Sequence, residues 1–362
     1  MLSYQSVPWL AGRRAMQWRC RPASGAALAF HRELGGYLPT PLTHLPELAR
    51  DLGVGRVLAK DESTRLGLGA FKGLGASWAV RMAVADHHGS APLTVIAATD
   101  GNHGRAVARF ARKLGHRASI YIPRGVHPTA VQNILDEGAE VGRVDGTYDD
   151  AVAAACEAAE APGTVLVQDT AWEGYKDIPA AIVDGYDTLF HEIDEQLDGI
   201  GVTGPALVVV PTGVGSLLHA ALIHYRSRAS RPGTAVVSVE PEGAACVQAS
   251  LAEGTPVTVD TGTTIMAGLN CGTPSSTAWP FIVHGLDAAT TVSDTAATSA
   301  AHTLASYGVD AGPCGAASLA ALEVILTGRE HIERRQHLHL APDSVVVLLV
   351  TEGSSSNPVP SS

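Results

Sequence analysis

The chain has 362 residues, of which 46% are hydrophobic and 17% charged, and its formal net charge at pH 7 is −11. This length and composition predict a globular protein with two domains or lobes and a sizeable core. The excess of acidic residues argues against nucleic acid or an anionic membrane surface as a partner. No apolar run reaches the roughly 18 residues that span a bilayer. The basic residues near the start follow an apolar stretch instead of preceding it, unlike a secretory signal, so we expect a cytoplasmic protein.

The first part of the chain carries few regular patterns. We expect residues 1–40 to be irregular, because no helical or strand period is sustained there. Residues 46–52 should form a short helix that ends at a glycine, and residues 56–60 should form a strand. Apolar residues at helical spacing then predict a helix over residues 72–88.

Strands and helices alternate through the rest of the chain, which predicts parallel sheets. The predicted strands cover residues 93–98, 118–122, 140–144, 165–167, 206–210, 235–239 and 344–350. The predicted helices cover residues 104–114, 128–137, 149–159, 179–196, 216–228, 295–306 and 316–327. The last strand is apolar on both faces and should be central. We therefore expect an α/β fold with two open parallel-sheet lobes and a ligand crevice between them. Residues 91–175 form the small lobe in this prediction, and residues 1–90 and 176–362 form the large lobe.

One of the four lysines has an unusual setting. Lys72 lies among Leu66, Leu68, Phe71 and Leu74, and an apolar surrounding favours the neutral amine over the ammonium. A neutral lysine amine is a nucleophile that forms Schiff bases with aldehydes. The same stretch is also compatible with a lysine that begins a helix and extends over its apolar neighbours to solvent.

A polar turn follows the strand predicted over residues 93–98. Its sequence is Thr99-Asp100-Gly101-Asn102-His103, and it leads into a helix. Free backbone amides at a helix N-terminus suit a carboxylate ligand. Asp100 would repel such an anion unless it faces a cation on the same ligand, and by itself it is more typical of a helix cap or Asx turn.

A glycine-containing turn, Gly213-Val-Gly-Ser216, follows the strand over residues 206–210. Its backbone amides could bind a phosphate, or it could be an ordinary tight turn. It lacks the lysine of a Walker loop and the third glycine of the dinucleotide pattern. Glu240, at the end of the next strand, keeps a nicotinamide enzyme as a rival interpretation.

Two further strand ends carry polar residues that are weak signals in isolation. Thr351 follows the last strand and could offer a hydroxyl to a ring nitrogen, and a second acid, Asp169, follows the short strand over residues 165–167. Together, the four turns and Lys72 supply an aldehyde trap, a phosphate cradle, a carboxylate loop and a ring-nitrogen partner. Those are the requirements of pyridoxal phosphate holding an amino acid.

The chain resembles fold-type II pyridoxal-phosphate enzymes, the group of threonine dehydratase, serine dehydratase and the tryptophan synthase β chain. Within that group it is most similar to diaminopropionate ammonia-lyases. The resemblance runs from about residue 30 to residue 353. Its supporting segments are Gly67-Leu-Gly-Ala-Phe-Lys72, Ala98-Thr-Asp-Gly-Asn-His-Gly-Arg105, Asp169-Thr-Ala-Trp-Glu-Gly-Tyr175 and Met266-Ala-Gly-Leu-Asn-Cys271-Gly.

The resemblance implies specific roles for these residues. Lys72 would carry the cofactor as a Schiff base and act as the base at Cα, with Asp100 and Asp169 as the two acids around the substrate. The implied cofactor contacts are Phe71, Lys72, Asn102 at the phenolic oxygen, Gly213, Val214, Gly215 and Ser216 at the phosphate, and Thr351 at the ring nitrogen. The implied substrate site comprises Thr99, Asp100, Gly101, His103 and Asp169.

The implied reaction is elimination of 2,3-diaminopropionate to pyruvate and ammonia, in a homodimer. Asp100, on the face opposite Lys72, would be the base for the other Cα enantiomer. The alternatives are a serine/threonine dehydratase, a lyase or β-replacement enzyme for another β-substituted amino acid, and a catalytically silent cofactor-binding protein. Gly69 departs from the resemblance, because a larger residue is common there, and the N-terminal portion is short.

The five cysteines are scattered, odd in number and without metal-type spacing. Buried thiols and no metal are therefore expected. A disulfide between Cys246 and Cys271 stays open.

Overall fold

Two separate β-sheets organise the chain. The structure, a computed structural model, describes residues 4–89, 91–99, 101–227 and 233–359. The strands are β1 (Trp9–Ala11), β2 (Leu42–His44), β3 (Arg56–Asp61), β4 (Thr94–Ala98), β5 (Arg117–Ile122), β6 (Glu140–Arg143), β7 (Thr164–Leu166), β8 (Leu207–Pro211), β9 (Ala235–Pro241), β10 (Ala288–Val292) and β11 (Val345–Val350). They form a seven-stranded sheet in the order β1-β10-β9-β8-β11-β3-β2 and a four-stranded sheet in the order β6-β5-β4-β7.

Helices connect most of these strands. They are α1 (Ala26–Glu33), α2 (Pro46–Asp51), α3 (Lys72–Ala83), α4 (Asn102–Lys113), α5 (Pro128–Asp136), α6 (Tyr148–Ala158), α7 (Asp177–Gly199), α8 (Ser216–Arg226), α9 (Cys246–Glu253), α10 (Trp279–Gly285), α11 (Asp294–Ser306), α12 (Pro313–Leu326) and α13 (His331–His337). Within the described ranges, none of the helices combines the length and the apolar character needed to cross a membrane.

β11 lies inside the seven-stranded sheet, as its apolar sequence predicts. It pairs in parallel with β3 and β8, and Val347 lies opposite both Leu58 and Val208. Successive residues of such a strand face opposite sides of the sheet. Val347 packs in the core formed with α3, α7 and α8, and Val346 packs in a second core formed with α11 and α12. A strand covered on both faces has no solvent-facing side, which explains why every residue of β11 is apolar.

α3 and α7 are in close backbone contact, and this contact places the start of α3. A Cβ atom at Gly75 would lie 2.5 Å from the ring of Tyr186, and one at Gly185 would lie 2.7 Å from the carbonyl oxygen of Leu74. Only glycine fits at both positions. Lys72, the first residue of α3, is consequently held beside α7.

The expectation that residues 1–40 are irregular is wrong. β1 adds an antiparallel edge to the large sheet by pairing with β10. α1 is fixed by His31, whose ring nitrogens hydrogen-bond to Thr188 at 2.8 Å and Ser77 at 2.9 Å. Both elements are held by tertiary partners. Neither has a sustained hydrophobic period, which is why the sequence did not indicate them.

The other predicted elements agree with the structure to within a few residues, except that α3 ends at Ala83, five residues before the predicted end at residue 88. The predicted end of one helix at residue 228 lies outside the described residues, and α8 ends at Arg226. No prediction was made for β2, β10, α9, α10 and α13. The strands of the small sheet all lie between Thr94 and Leu166, while the division into lobes at residues 90/91 and 175/176 stays a prediction.

Candidate active site

The amine of Lys72 is paired with a buried carboxylate. Lys72 Nζ donates a hydrogen bond to Asp169 Oδ2 at 2.6 Å, and the two side chains are 20% and 7% exposed. The ammonium lies 5.5 Å from the centre of the Phe71 ring, which packs against Tyr186 at 4.7 Å. Lys72 therefore does not extend freely to solvent, although it begins a helix.

The other three lysines have different settings. Lys60 is fully buried, and its amine binds Glu192 at 2.6 Å within an ionic network. This burial is not apparent from the sequence, where Lys60 stands next to the acidic residues Asp61 and Glu62. Lys113 and Lys176 are exposed. Lys72 alone among the four is both partly buried and accessible.

Asp169 is ionised despite its burial. Burial by itself disfavours the charged form, but the charge and hydrogen bond of Lys72 outweigh that cost, and the pKa of Asp169 falls to about 2. Burial is also the main influence on the neighbouring His103, and it lowers the pKa of that imidazole. Lys72 is therefore the main group that holds Asp169 in its charged form.

His103 stabilises the segment that carries Asp169. It is 3% exposed, and its Nε2 hydrogen-bonds to the carbonyl oxygen of Val167 at 2.8 Å, directly before Gln168 and Asp169. Gln168 Oε1 accepts the amide of Ala98 at 2.9 Å, which ties the end of the β7 segment to the end of β4. These bonds bring the turn after β4 next to Asp169, and His103 positions the acid in this arrangement.

The turn after β8 is a cradle of backbone amides. Gly215 has φ of +95°, and a Cβ atom on Gly213 would lie 2.9 Å from both the carbonyl oxygen of Gly268 and Cys271 Sγ. Glycine is required at both positions. Within the described part of the chain, the amides of Gly213, Val214 and Gly215 have no protein acceptor. Free amides at the start of a helix form a site for an anion such as phosphate.

Ser216 links this cradle to the acid, because its hydroxyl donates to the carbonyl oxygen of Asp169 at 2.9 Å. On the other side of the loop, the amide of Ser275 donates to the carbonyl oxygen of Val214 at 2.8 Å. The cradle is thus fixed between the segment that carries Asp169 and the segment that precedes α10.

The end of β11 is joined to the lysine segment. The carbonyl oxygen of Thr351 accepts the amide of Phe71 at 3.0 Å, and the amide of Gly353 donates to the carbonyl oxygen of Gly69 at 3.0 Å. Gly69 has φ of +78°, and a Cβ atom there would lie 2.3 Å from Ser356 Oγ. The positive φ and this crowding both favour glycine at position 69.

Asn102 also reaches this region. Its Nδ2 donates to Glu352 Oε2 at 2.6 Å, and Glu352 Oε1 accepts from Asn357 at 3.0 Å. Burial raises the pKa of Glu352. The three segments that carry Lys72, Asn102 and Thr351 therefore meet here, although they are distant in sequence.

The remaining residues of the β4 turn have structural tasks of their own. The hydroxyl of Thr99 accepts the amides of Gly101 at 3.0 Å and Gly104 at 3.1 Å, so it caps the start of α4. Asp100 lies outside the described residues, and its predicted role stays a prediction. A substrate contact from the hydroxyl of Thr99 would share an oxygen that already accepts two hydrogen bonds.

Three residues of the site were not identified from the sequence. Tyr186 packs on Phe71, Glu352 holds Asn102, and Gln168 joins β4 to β7. The sequence signal for Glu352 and Gln168 is a polar side chain next to a short apolar strand. For Tyr186 the only signal is the preceding Gly185, since a glycine within a helix can indicate close contact with another helix.

The nicotinamide interpretation is not supported, because the Glu240 carboxylate already accepts the amides of Val247 at 2.7 Å and Gln248 at 2.8 Å at the start of α9. All five cysteines are free thiols, including Cys246 and Cys271.

The residues present fit pyridoxal phosphate. The free amides of the Gly213–Ser216 turn match a phosphate, and a partly accessible lysine amine beside them matches an aldehyde. Asp169 adds a fixed negative charge next to that amine, suited to a positively charged amino-acid substrate.

Known proteins are similar to this chain in sequence and in architecture. Residues 33–352 match the family described as "Pyridoxal-phosphate dependent enzyme". The diaminopropionate ammonia-lyase of Escherichia coli K12 is 36% identical over 350 residues, which cover 91% of this chain and 88% of that protein. The crystal structure of the E. coli enzyme in complex with D-serine superposes with a TM-score of 0.89 at 33% identity, covering 96% of this chain and 94% of the other. Its complex with an aminoacrylate-PLP azomethine reaction intermediate superposes with a TM-score of 0.88 at 34% identity, covering 98% and 96%.

Proposed function

This chain belongs to the pyridoxal-phosphate dependent enzyme family, and from that premise we propose that it eliminates ammonia from 2,3-diaminopropionate and yields pyruvate. The observation that carries the proposal is the buried, ionised carboxylate of Asp169, 2.6 Å from the amine of Lys72. Diaminopropionate differs from serine by a β-ammonium in place of a hydroxyl. A fixed carboxylate beside the reactive amine is complementary to that ammonium.

The cofactor is held by groups from several segments in this proposal. Lys72 would hold the aldehyde carbon, the amides of residues 213–216 the phosphate, and the Thr351 hydroxyl the ring nitrogen, with Asn102 directed at the phenolic oxygen and Phe71 beside the ring. When bound, pyridoxal phosphate supplies an electron sink for negative charge that develops at Cα of an amino acid. A neutral threonine hydroxyl does not hold a proton on the ring nitrogen as a carboxylate would. This weaker electron sink favours the prompt loss of a β-group over a long-lived carbanion.

Lys72 moves the proton at Cα. Its neutral amine accepts that proton as a general base and becomes an ammonium. Asp169, which is ionised at neutral pH, stabilises this ammonium through the same hydrogen bond that it accepts from Lys72. The proton transfer is therefore accompanied by the formation of an ion pair within the site.

The β-nitrogen leaves with the electron pair of the Cβ–N bond. Because the β-group enters as an ammonium, it departs as neutral ammonia and needs no further proton. The other product, 2-aminoacrylate, reacts with water to give pyruvate and a second ammonia. In this proposal Asp169 binds the β-ammonium in the ground state, and His103 fixes the position of the acid through its hydrogen bond to Val167.

Three finer points belong to the same proposal. Asp100, on the face opposite Lys72, would be the base for the other Cα enantiomer. The active unit is a homodimer, and the enzyme acts in the cytoplasm. The resemblance to fold-type II enzymes supports the first two, and the composition and charge of the chain support the third.

The test is a substrate comparison with the purified, cofactor-loaded chain. L- and D-2,3-diaminopropionate, L-serine and L-threonine are supplied separately, and 2-oxoacid and ammonia are measured. We expect two ammonia per pyruvate from diaminopropionate and little product from the hydroxy amino acids. Preferred turnover of serine or threonine would instead identify a dehydratase. A visible spectral change without any 2-oxoacid would point to β-replacement.

A further inference from the structure

A cluster of histidines and carboxylates lies between α7 and α8. Asp187, His191 and Asp194 occupy one side of α7 at spacings of four and three residues, which places them on one helix face. His224, near the end of α8, faces them. These four residues are not part of the site around Lys72.

The histidine rings and carboxylates of the cluster are within hydrogen-bonding distance of one another. Asp187 Oδ2 lies 3.0 Å from His191 Nε2, and Asp187 Oδ1 lies 3.0 Å from His224 Nδ1. The second ring nitrogen, His224 Nε2, lies 3.0 Å from Asp194 Oδ2. Asp187, His191 and His224 each offer one ligand atom, and these three atoms lie within 4.8 Å of one another.

We propose that Asp187, His191 and His224 bind a divalent transition-metal ion of the zinc type. Two imidazoles and one carboxylate form a donor set that suits Zn²⁺. With bonds of about 2.1 Å, ligand atoms of a tetrahedral site are about 3.4 Å apart. The three ligand atoms of this cluster lie within 4.8 Å of one another, so side-chain movements of about an ångström bring them to that spacing.

Asp194 completes the arrangement. A metal-binding histidine usually directs its other ring nitrogen at a carboxylate, which fixes the tautomer and the ring orientation. The contact between His224 Nε2 and Asp194 is of this kind, and it leaves Nδ1 for the ion. Asp194 is therefore a positioning residue, and the other three residues are the ligands.

The cluster is accessible from solvent. The side chain of His191 is 39% exposed, whereas those of Asp187 and His224 are 6% and 9% exposed. Asp187 also lines a cavity of about 150 Å³ together with Asp184 and His219. Three protein ligands, one of them at the surface, leave a fourth position for water. An ion there would join α7 to α8. Its ligand Asp187 directly follows Tyr186, which packs on Phe71 next to Lys72.

The test measures zinc binding by the holoenzyme. After treatment with a chelator, wild type and His191→Ala are dialysed against the same low concentration of Zn²⁺, and bound zinc is measured by mass spectrometry of the metal. Wild type should hold one equivalent per chain more than His191→Ala. His302→Ala, which removes an exposed histidine from α11, should behave as wild type. Equal zinc in wild type and His191→Ala overturns the proposal.

Two further measurements separate a built site from surface binding. Co²⁺ in place of Zn²⁺ should give visible d–d absorption in wild type that is absent in His191→Ala. Asp194→Asn should raise the dissociation constant of Zn²⁺ by about 10- to 100-fold, with little change in the melting temperature of the metal-free protein. An unchanged dissociation constant in Asp194→Asn would refute its positioning role.

Discussion

Asp169→Asn is the substitution that tests the proposed substrate most directly. Asparagine keeps the size of the side chain and removes its charge. The carboxylate is 7% exposed and accepts a hydrogen bond from Lys72 at 2.6 Å, so its charge is felt in a nearly water-free setting. The variant should lose the interaction with a β-ammonium while the rest of the cofactor site is preserved.

The size of the effect follows from the pKa of Asp169. A lowering from 3.8 to about 2 corresponds to about 2.5 kcal/mol of net favourable interaction with positive charge, after the cost of burial. If a β-ammonium makes a similar interaction, its loss reduces kcat/KM for diaminopropionate by about 60-fold. With a cation such as the β-ammonium beside it, the carboxylate is ionised at every pH above about 4, so this loss should not depend on its own titration between pH 6 and pH 9.

The assay compares two substrates, because Asp169 also stabilises the Lys72 ammonium and that contribution affects every amino acid. Release of pyruvate is measured with 2,3-diaminopropionate and with β-chloroalanine, whose leaving group carries no positive charge. The ratio of the two kcat/KM values should fall by about 60-fold in Asp169→Asn. Glu173→Gln, at an exposed acid four residues along the same segment, should leave the ratio unchanged. An equal loss for both substrates in Asp169→Asn would contradict the role of Asp169 in binding the β-ammonium.

Three other substitutions test the cofactor site and the core. Lys72→Ala should abolish turnover and covalent capture of the cofactor, and a visible band that still fixes to the protein on borohydride reduction would exclude Lys72. Gly213→Ala should raise the dissociation constant of pyridoxal phosphate at least 10-fold, since its Cβ would lie 2.9 Å from Gly268 O. Gly199→Ala, which meets no atom within 4 Å, is the control. Glu192→Ala removes the carboxylate partner of the buried Lys60 and one of the two carboxylate partners of the buried Arg65. It should lower the free energy of unfolding by about 3–5 kcal/mol in urea titrations, whereas a loss below about 1 kcal/mol would refute that account. Burial opposes the charge of Glu192, but its cationic partners lower its pKa to about 2, so the loss should be complete above about pH 4.3 and shrink as the pH falls towards 2.

Much of the fold could be predicted because its signals are local. The run of apolar residues in β11 requires burial on both faces, whatever the rest of the chain does. The proline at the start of α5 and the helical spacing of α4 act within single turns. β1 and α1 were not predicted, because a three-residue edge strand and a helix held through His31 depend on partners more than 40 residues away.

The candidate site was predictable in its parts but not in its assembly. Lys72, the turn over residues 213–216 and Thr351 are each marked by residue type and by position at the end of a strand or the start of a helix. Their neighbours were not visible in the sequence. No local pattern indicates that Tyr186 packs on Phe71, or that Glu352 holds Asn102.

The sequence by itself determined which residues carry the chemistry and that parallel sheets present them. A lysine, a glycine turn or a hydroxyl at a strand end can be recognised from residue type and local position alone. Only the tertiary structure decided which charges meet. Lys60 and Lys72 are both lysines near apolar strands, yet one is neutralised in the core by Glu192 and the other is paired with Asp169 in the site. Those pairings join residues 132 and 97 positions apart, and the electrostatic energy depends on distances in space that sequence spacing does not contain.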